Sequence, residues 1–216
     1  MAKKVNKAEV KEEQLAQLQS LEVSMLNKDK FTDDELDAYL DKGEIKASDQ
    51  IEVPPQILWV DDCTIATFGN FSASTGKAKS KKTFNISAMV AAAVTNSTVL
   101  NYRACLPEGK RNILYFDTEQ SKFHCHSVLE RIYKLSGLSL KEDDPRLMFW
   151  GLREYTPKLR IAVIDYALRK YDEVGLVIID GLRDLMYDIN NGKEATDVMT
   201  VLMAWTSVYE LHIHTV

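Results

Sequence analysis

The chain is 216 residues long, 45% hydrophobic and 27% charged, with a formal net charge of -5. That length fits one domain of ordinary size plus an arm, and the apolar content can fill a core. The mild acidity argues against a protein that coats nucleic acid by charge alone, and leaves a local basic patch open.

Residues 1–50 are rich in Lys, Glu, Gln and Asp and contain one glycine, Gly43. Leu15, Leu18, Leu21 and Met25 recur at steps of three and four, which predicts a helix with one narrow apolar stripe. Thr32 to Glu35 reads as a capping box that starts a second short helix carrying Leu36, Tyr39 and Leu40. The stripe needs a partner surface, either this chain's own domain or a neighbouring subunit. Pro54-Pro55 closes a polar stretch, so residues 1–50 are expected to form a charged helical arm and 51–216 the main domain. Nothing in the first residues has the apolar core of a signal peptide, and no apolar run reaches the ~20 residues of a membrane span. Cys63, Cys105 and Cys125 are few, odd in number and far apart. A soluble protein of a reducing cytoplasm is the expectation.

From Gln56 the pattern becomes that of an α/β domain. Gln56–Val60, a turn at Asp61-Asp62 and Cys63–Phe68 predict a hairpin. Gly69-Asn70 leads into a strand, and Lys82 to about Thr95, small and apolar at Ala91, Ala92 and Ala93, predicts a helix pressed on a sheet. Asn112 to Asp117 is an apolar strand ending abruptly in polar residues through Gln120, followed by an amphipathic helix from Ser121 to Leu135 that Gly137 ends. Leu147–Trp150 is a further strand. Thr156-Pro157 opens a helix to about Tyr171. Leu176 to Asp180 is the most hydrophobic strand, a helix from about Glu194 to Tyr209 follows, and Leu211–Val216 reads as a last strand. The alternation predicts a mostly parallel sheet covered by helices on both faces.

The loop between the strand near Phe71 and the helix at Lys82 carries chemistry. Gly76, Lys77, Ala78, Lys79, Ser80, Lys81, Lys82 and Thr83 match the phosphate-binding pattern G-x-x-x-x-G-K-[ST] at every fixed position but one. Lys82 is then the phosphate lysine, Thr83 the hydroxyl for Mg²⁺, and the helix start directs its positive end at the anion. Lys81 occupies the slot that glycine normally fills, where the backbone turns tightly. Asp180, at the end of a wholly apolar strand, suits the second-strand (Walker B) carboxylate, and Glu119 is placed to align or deprotonate a water. Each feature alone also has an ordinary reading: a solvated lysine turn, a strand-end cap, a helix-start acid. All three in order on one sheet edge point to nucleotide binding.

Other candidates are weaker. His124 and His126 fall on different sides of a helix. His212 and His214 share a strand face, with no third ligand near them in sequence to make a zinc site. Arg153 and Arg183 follow strands, where they line a ligand or DNA channel or stay solvated.

The glycine-lysine loop, the LYFDTEQ strand with FHCHSVLERIYKLSGL after it, and LVIIDGLRDL together resemble the RecA-like ATPases of the RepA replicative helicase type. Within them the likeness is to AAA-type proteins of bacterial mobile elements whose loop reads GKAKS-x-KTF, and GLREYTPKLRI at Gly151 to Ile161 has the look of that subgroup. The resemblance spans Ile65 to Val216. It implies a hexamer-forming ATPase that uses ATP and Mg²⁺ and associates with single-stranded DNA, whose phosphates loops inside a ring would contact, with Glu119 catalytic and Asp180 holding the magnesium. Unwinding of DNA and a role as a non-motor adaptor that is gated by nucleotide both fit it. Family members continue beyond the last strand read here into a γ-phosphate-sensing strand end and an arginine that reaches the neighbour's nucleotide. On that comparison the chain is expected to be a truncated form that binds nucleotide weakly, turns it over poorly and forms no stable hexamer.

Overall fold

A computed structural model describes residues 31–77, 81–188 and 190–216. The helix expected around Leu15–Met25 lies outside them. The chain divides into two compact units, Met1–Val53 and Pro54–Val216.

In the first unit, helix α1 (Asp33–Gly43) begins where the capping box places it. Thr32 Oγ1 accepts from the Glu35 amide at 3.3 Å, and Glu35 Oε2 accepts from the Thr32 amide at 2.8 Å. Two of the helix's orphan N-terminal donors are thereby satisfied. The Thr32 bonds also hold the Glu35 carboxyl below its ordinary pKa. No residue of α1 is buried.

The second unit contains two sheets. Strands β1 (Gln56–Val60) and β2 (Cys63–Thr67) form the expected hairpin, with Asp61 in the left-handed region at φ 50°. Two further short strands, β4 (Thr98–Val99) and β5 (Tyr102–Ala104), join them in a four-stranded antiparallel sheet of order β2-β1-β5-β4. The sequence reading passed over β4 and β5, because strands of two and three residues carry no readable alternation. Strand β5 pairs with β1, where Trp59 sits opposite Arg103 and the guanidinium lies 3.9 Å from the indole ring centre, and β4 pairs with β5.

The larger sheet has five parallel strands: β3 (Phe71–Ala73), β6 (Asn112–Asp117), β7 (Leu147–Gly151), β8 (Val174–Asp180) and β9 (His212–Thr215). Their order across the sheet is β3-β9-β8-β6-β7. Helices α2 (Lys82–Thr95), α3 (Lys122–Ser136), α4 (Pro157–Lys170) and α5 (Gly192–Val208) supply the crossovers. Every residue of β8 is buried, as a central parallel strand requires. Ile113, Tyr115, Leu176 and Ile178 pack with Ile86, Val90, Val128 and Ile132 of α2 and α3 in one apolar cluster. Leu114, Phe116, Val177 and Ile179 alternate with them and so face the opposite side. There Phe116 stacks on Trp150, and Trp150 meets Tyr171 at the end of α4. This is an α/β fold with a parallel sheet flanked by helices, as the alternation of elements predicted, and it is consistent with a RecA-like arrangement. Gly175 lets β8 run close to the loop before β6, because a methyl group there would collide with the Lys110 carbonyl oxygen.

The seam between β3 and β9 is polar and buried. Ser72 Oγ lies 2.8 Å from His212 Nε2 and 2.8 Å from His214 Nδ1, Ser74 Oγ lies 2.9 Å from His214 Nε2, and His212 Nδ1 lies 2.9 Å from the Thr67 carbonyl oxygen. The two histidines that share a strand face are therefore engaged by β3 hydroxyls. Burial pushes both imidazoles down from 6.5 to about 4, with His212 adding to the effect on His214. The unfolded chain then binds protons more readily, so the stability contribution is full above pH 6.5 and is lost as pH falls toward 4. The urea midpoint is expected to drop across that window by an amount equivalent to several kcal/mol at about 1.4 kcal/mol per pKa unit. His214→Gln, which cannot titrate, should flatten the drop measured by urea melts at stepped pH; an unchanged slope counts against the seam as its source.

Candidate functional site

Because β3, β6, β8 and β9 are parallel, their C-terminal ends lie along one edge. The loop after β3 starts there. The Ser74 amide extends the ladder by bonding the Thr215 carbonyl oxygen at 2.9 Å, and the chain then leaves the sheet through exposed Gly76 and Lys77. Ala78, Lys79 and Ser80 lie outside the described residues.

Lys81 re-enters at φ 61°, ψ 27°, in the left-handed region, and caps α2 without a side-chain bond. Glycine is favoured at that slot for this backbone geometry. The chain holds the same conformation with lysine, whose side chain is exposed. The Phe84 amide bonds the Lys81 carbonyl at 3.0 Å, so the helix opens directly behind it.

Lys82 turns back over the loop, donating to the Gly76 carbonyl oxygen at 2.9 Å and approaching that of Lys77 at 3.5 Å. Its ammonium therefore lies inside the curve of the loop, and its charge also acts on Asp180. Thr83 is half-buried in the first turn. Among the described residues no hydrogen bond joins it to Asp180.

Asp180 and Asp117 are paired in register on β8 and β6. Burial, reinforced by the Asp117 charge, pushes the Asp180 carboxyl up to about 6, and Glu119 adds to the rise while Lys82 opposes it. Among the described residues its one side-chain partner is the buried Tyr115 hydroxyl, which donates to Oδ2 at 3.0 Å. Asp117 is engaged quite differently. Its Oδ1 accepts from the amides of Glu119 at 3.1 Å and Gln120 at 2.8 Å, and its Oδ2 from Gln120 Nε2 at 2.7 Å. Asp117 thus builds the turn that presents Glu119, whose carboxylate is exposed and makes no hydrogen bond among the described residues. Thr118 completes the edge, with its hydroxyl 3.0 Å from Asp184 Oδ2 and 3.0 Å from the Gly181 amide nitrogen that donates to it.

The sequence reading placed Glu119 and Asp180 and missed Asp117, Tyr115 and Thr118. Asp117 is visible in sequence as the acid closing an apolar strand, but only its hydrogen bonds to the Glu119 and Gln120 amides mark it as the carboxylate that builds the turn. Of the two loops that carry Arg153 and Arg183, Arg160 donates to the carbonyl oxygens of Leu152 at 3.1 Å and Arg153 at 2.8 Å in the first and to that of Asp184 in the second. Arg160 is a tie between the loops after β7 and β8.

The donor set suits a hard cation. Thr83 and Asp180 offer oxygen ligands only, and among the described residues no three His, Cys, Asp or Glu side chains converge into an all-protein metal cage. Mg²⁺ is ordinarily held in that way, by one or two protein oxygens together with phosphates and water. No helix among the described residues is long and apolar enough to cross a membrane.

No protein-family model matches the chain, and no curated protein matches it.

The left-handed backbone at Lys81 has a measurable cost. A non-glycine residue there loses roughly 1–2 kcal/mol, which outweighs the roughly 0.5–1 kcal/mol of extra chain entropy that glycine brings to the unfolded state. Lys81→Gly is expected to stabilise the protein by about 0.5–1 kcal/mol, and Lys81→Val to destabilise it, in paired urea melts.

Proposed function

We propose that this chain binds Mg-ATP at the loop from Gly76 to Thr83 and hydrolyses it. The observation that carries the reading is the position of Lys82. Its ammonium rests on the loop's own carbonyls at one edge of a parallel sheet, and its charge reaches the buried Asp180 on β8. Lys82 and the loop amides hold the β and γ phosphates. Thr83 and Asp180 are the protein ligands that would hold Mg²⁺, which when bound neutralises charge developing on the γ-phosphate oxygens. Glu119, exposed at the end of the turn that Asp117 builds, aligns the attacking water and takes its proton. Lys81 does not argue against turnover, since the backbone adopts the conformation that glycine would supply.

The wider reading rests on the resemblance to RepA-type RecA-like ATPases: a cytoplasmic, DNA-associated ATPase of a mobile element that assembles as a hexamer. One observation favours a second reading, a nucleotide-gated assembly module without turnover. Among the described residues nothing orients the Glu119 carboxylate, and a water-aligning group needs fixing.

Calorimetric titration of ATP with and without Mg²⁺ should give saturable binding that Lys82→Ala weakens at least tenfold, and equal, negligible binding by both proteins would remove the hypothesis. Glu119→Gln should keep that binding and lose phosphate release. Saturable binding by a wild type that releases no phosphate, with or without single-stranded DNA, selects the gated module.

A further inference from the structure

An open cleft of about 400 Å³ borders the first turn of α2, lined by Lys81, Thr83, Phe84 and Arg131. Its size falls in the range of small-molecule sites, roughly 300–1,000 Å³, and exceeds what a lone phosphate needs. It is continuous with the loop through Lys81 and Thr83, the residues that close the phosphate-binding pattern.

The cleft is electrostatically unbalanced. Arg131 comes from α3 and is half-buried, yet among the described residues its guanidinium meets no carboxylate. Its one polar partner is Ser87 Oγ at 3.4 Å, and that hydroxyl donates in turn to the Thr83 carbonyl at 2.7 Å. Arg131 is thereby tethered over the start of α2, where the helix dipole already places partial positive charge. Lys81 adds another cation, and the lining contains no acid. Positive groups gathered in a partly desolvated cleft repel one another until an anion joins them. Beside them Phe84 leaves 41% of its surface exposed, an apolar face with no partner ring among the described residues.

A cationic cleft with a free aromatic face, opening from the phosphate loop, matches a molecule that is anionic at one end and aromatic at the other. We infer that this cleft is the subsite for the nucleoside end of the nucleotide, with Arg131 on the α-phosphate and the Phe84 ring against the face of the base. This rests on nucleotide binding at the loop. Stacking on an aromatic ring tolerates any base, so the subsite confers affinity for nucleotides over inorganic polyphosphates without selecting adenine.

The test compares ATP with inorganic tripolyphosphate, each with Mg²⁺, titrated into the full chain and its Phe84→Ala, Arg131→Gln and Arg131→Lys variants, with circular dichroism to confirm folding. Phe84→Ala is expected to weaken ATP binding about tenfold, within the range for loss of one base stack, and to leave tripolyphosphate within twofold. Arg131→Gln should weaken both ligands by about tenfold, with part recovered by Arg131→Lys, because a charged contact to phosphate does not depend on the base. ATP affinity unchanged in the Phe84→Ala and Arg131→Gln variants while Lys82→Ala abolishes it would overturn the subsite and leave the loop reading standing. Equal weakening of both ligands by Phe84→Ala would overturn the base contact. A wild type that binds neither ligand overturns the loop reading and the subsite with it.

Discussion

The in-register pairing of β6 with β8 places two carboxyls, Asp117 and Asp180, side by side at the end of a buried parallel ladder, and the rest of the edge follows from how that conflict is resolved. Two adjacent acids out of water repel, and burial disfavours the charge on each. Asp117 is satisfied from its own chain, by the amides and side chain of the turn immediately after it. Asp180 receives one phenol hydrogen bond and remains raised in pKa. A carboxylate in that condition is stabilised by a cation, and the charge of Lys82 opposes the rise. The turn that hydrogen-bonds Asp117 is the same turn that carries Glu119 outward, although burial still raises the Asp117 carboxyl above its ordinary pKa.

The loop works under a second constraint, the reversal of direction between β3 and α2. A left-handed residue makes that reversal, and the chain uses Lys81 for it at a local cost in stability. The same choice places a cation at the mouth of the cleft that Arg131 and Phe84 border. Backbone strain and a cation then meet at one residue.

The opposite flank of the loop is held by β9. Its two histidines are bonded to Ser72 and Ser74, so the strand that launches the loop is tied to the sheet by side chains as well as by its ladder. Burial of neutral imidazoles makes this seam sensitive to acid, while leaving it intact at neutral pH.

Much of this was determined locally and could be read from the chain alone. Hydrophobic periodicity, the Thr32–Glu35 capping box, Pro157 at a helix start and Gly137 at a helix end act over a few residues, so the helices and the long strands emerge from sequence. The register of Lys82 and Thr83, and the acids closing apolar strands, are legible for the same reason. Tertiary structure decided the rest, because it depends on partners distant in sequence. Strand β5 exists through pairing with β1, about 40 residues earlier in the chain, and β4 through pairing with β5. That Asp117 and Asp180 lie side by side was decided by cross-strand register, and the phenol that reaches Asp180 comes from Tyr115, 65 residues earlier. The engagement of His212 and His214 came from Ser72 and Ser74 on a strand about 140 residues away. Arg131 reads in sequence as one more charge on an amphipathic helix, and only the packing of α3 against α2 brings it to the mouth of the loop, since a side chain's electrostatic role is fixed by what surrounds it in space.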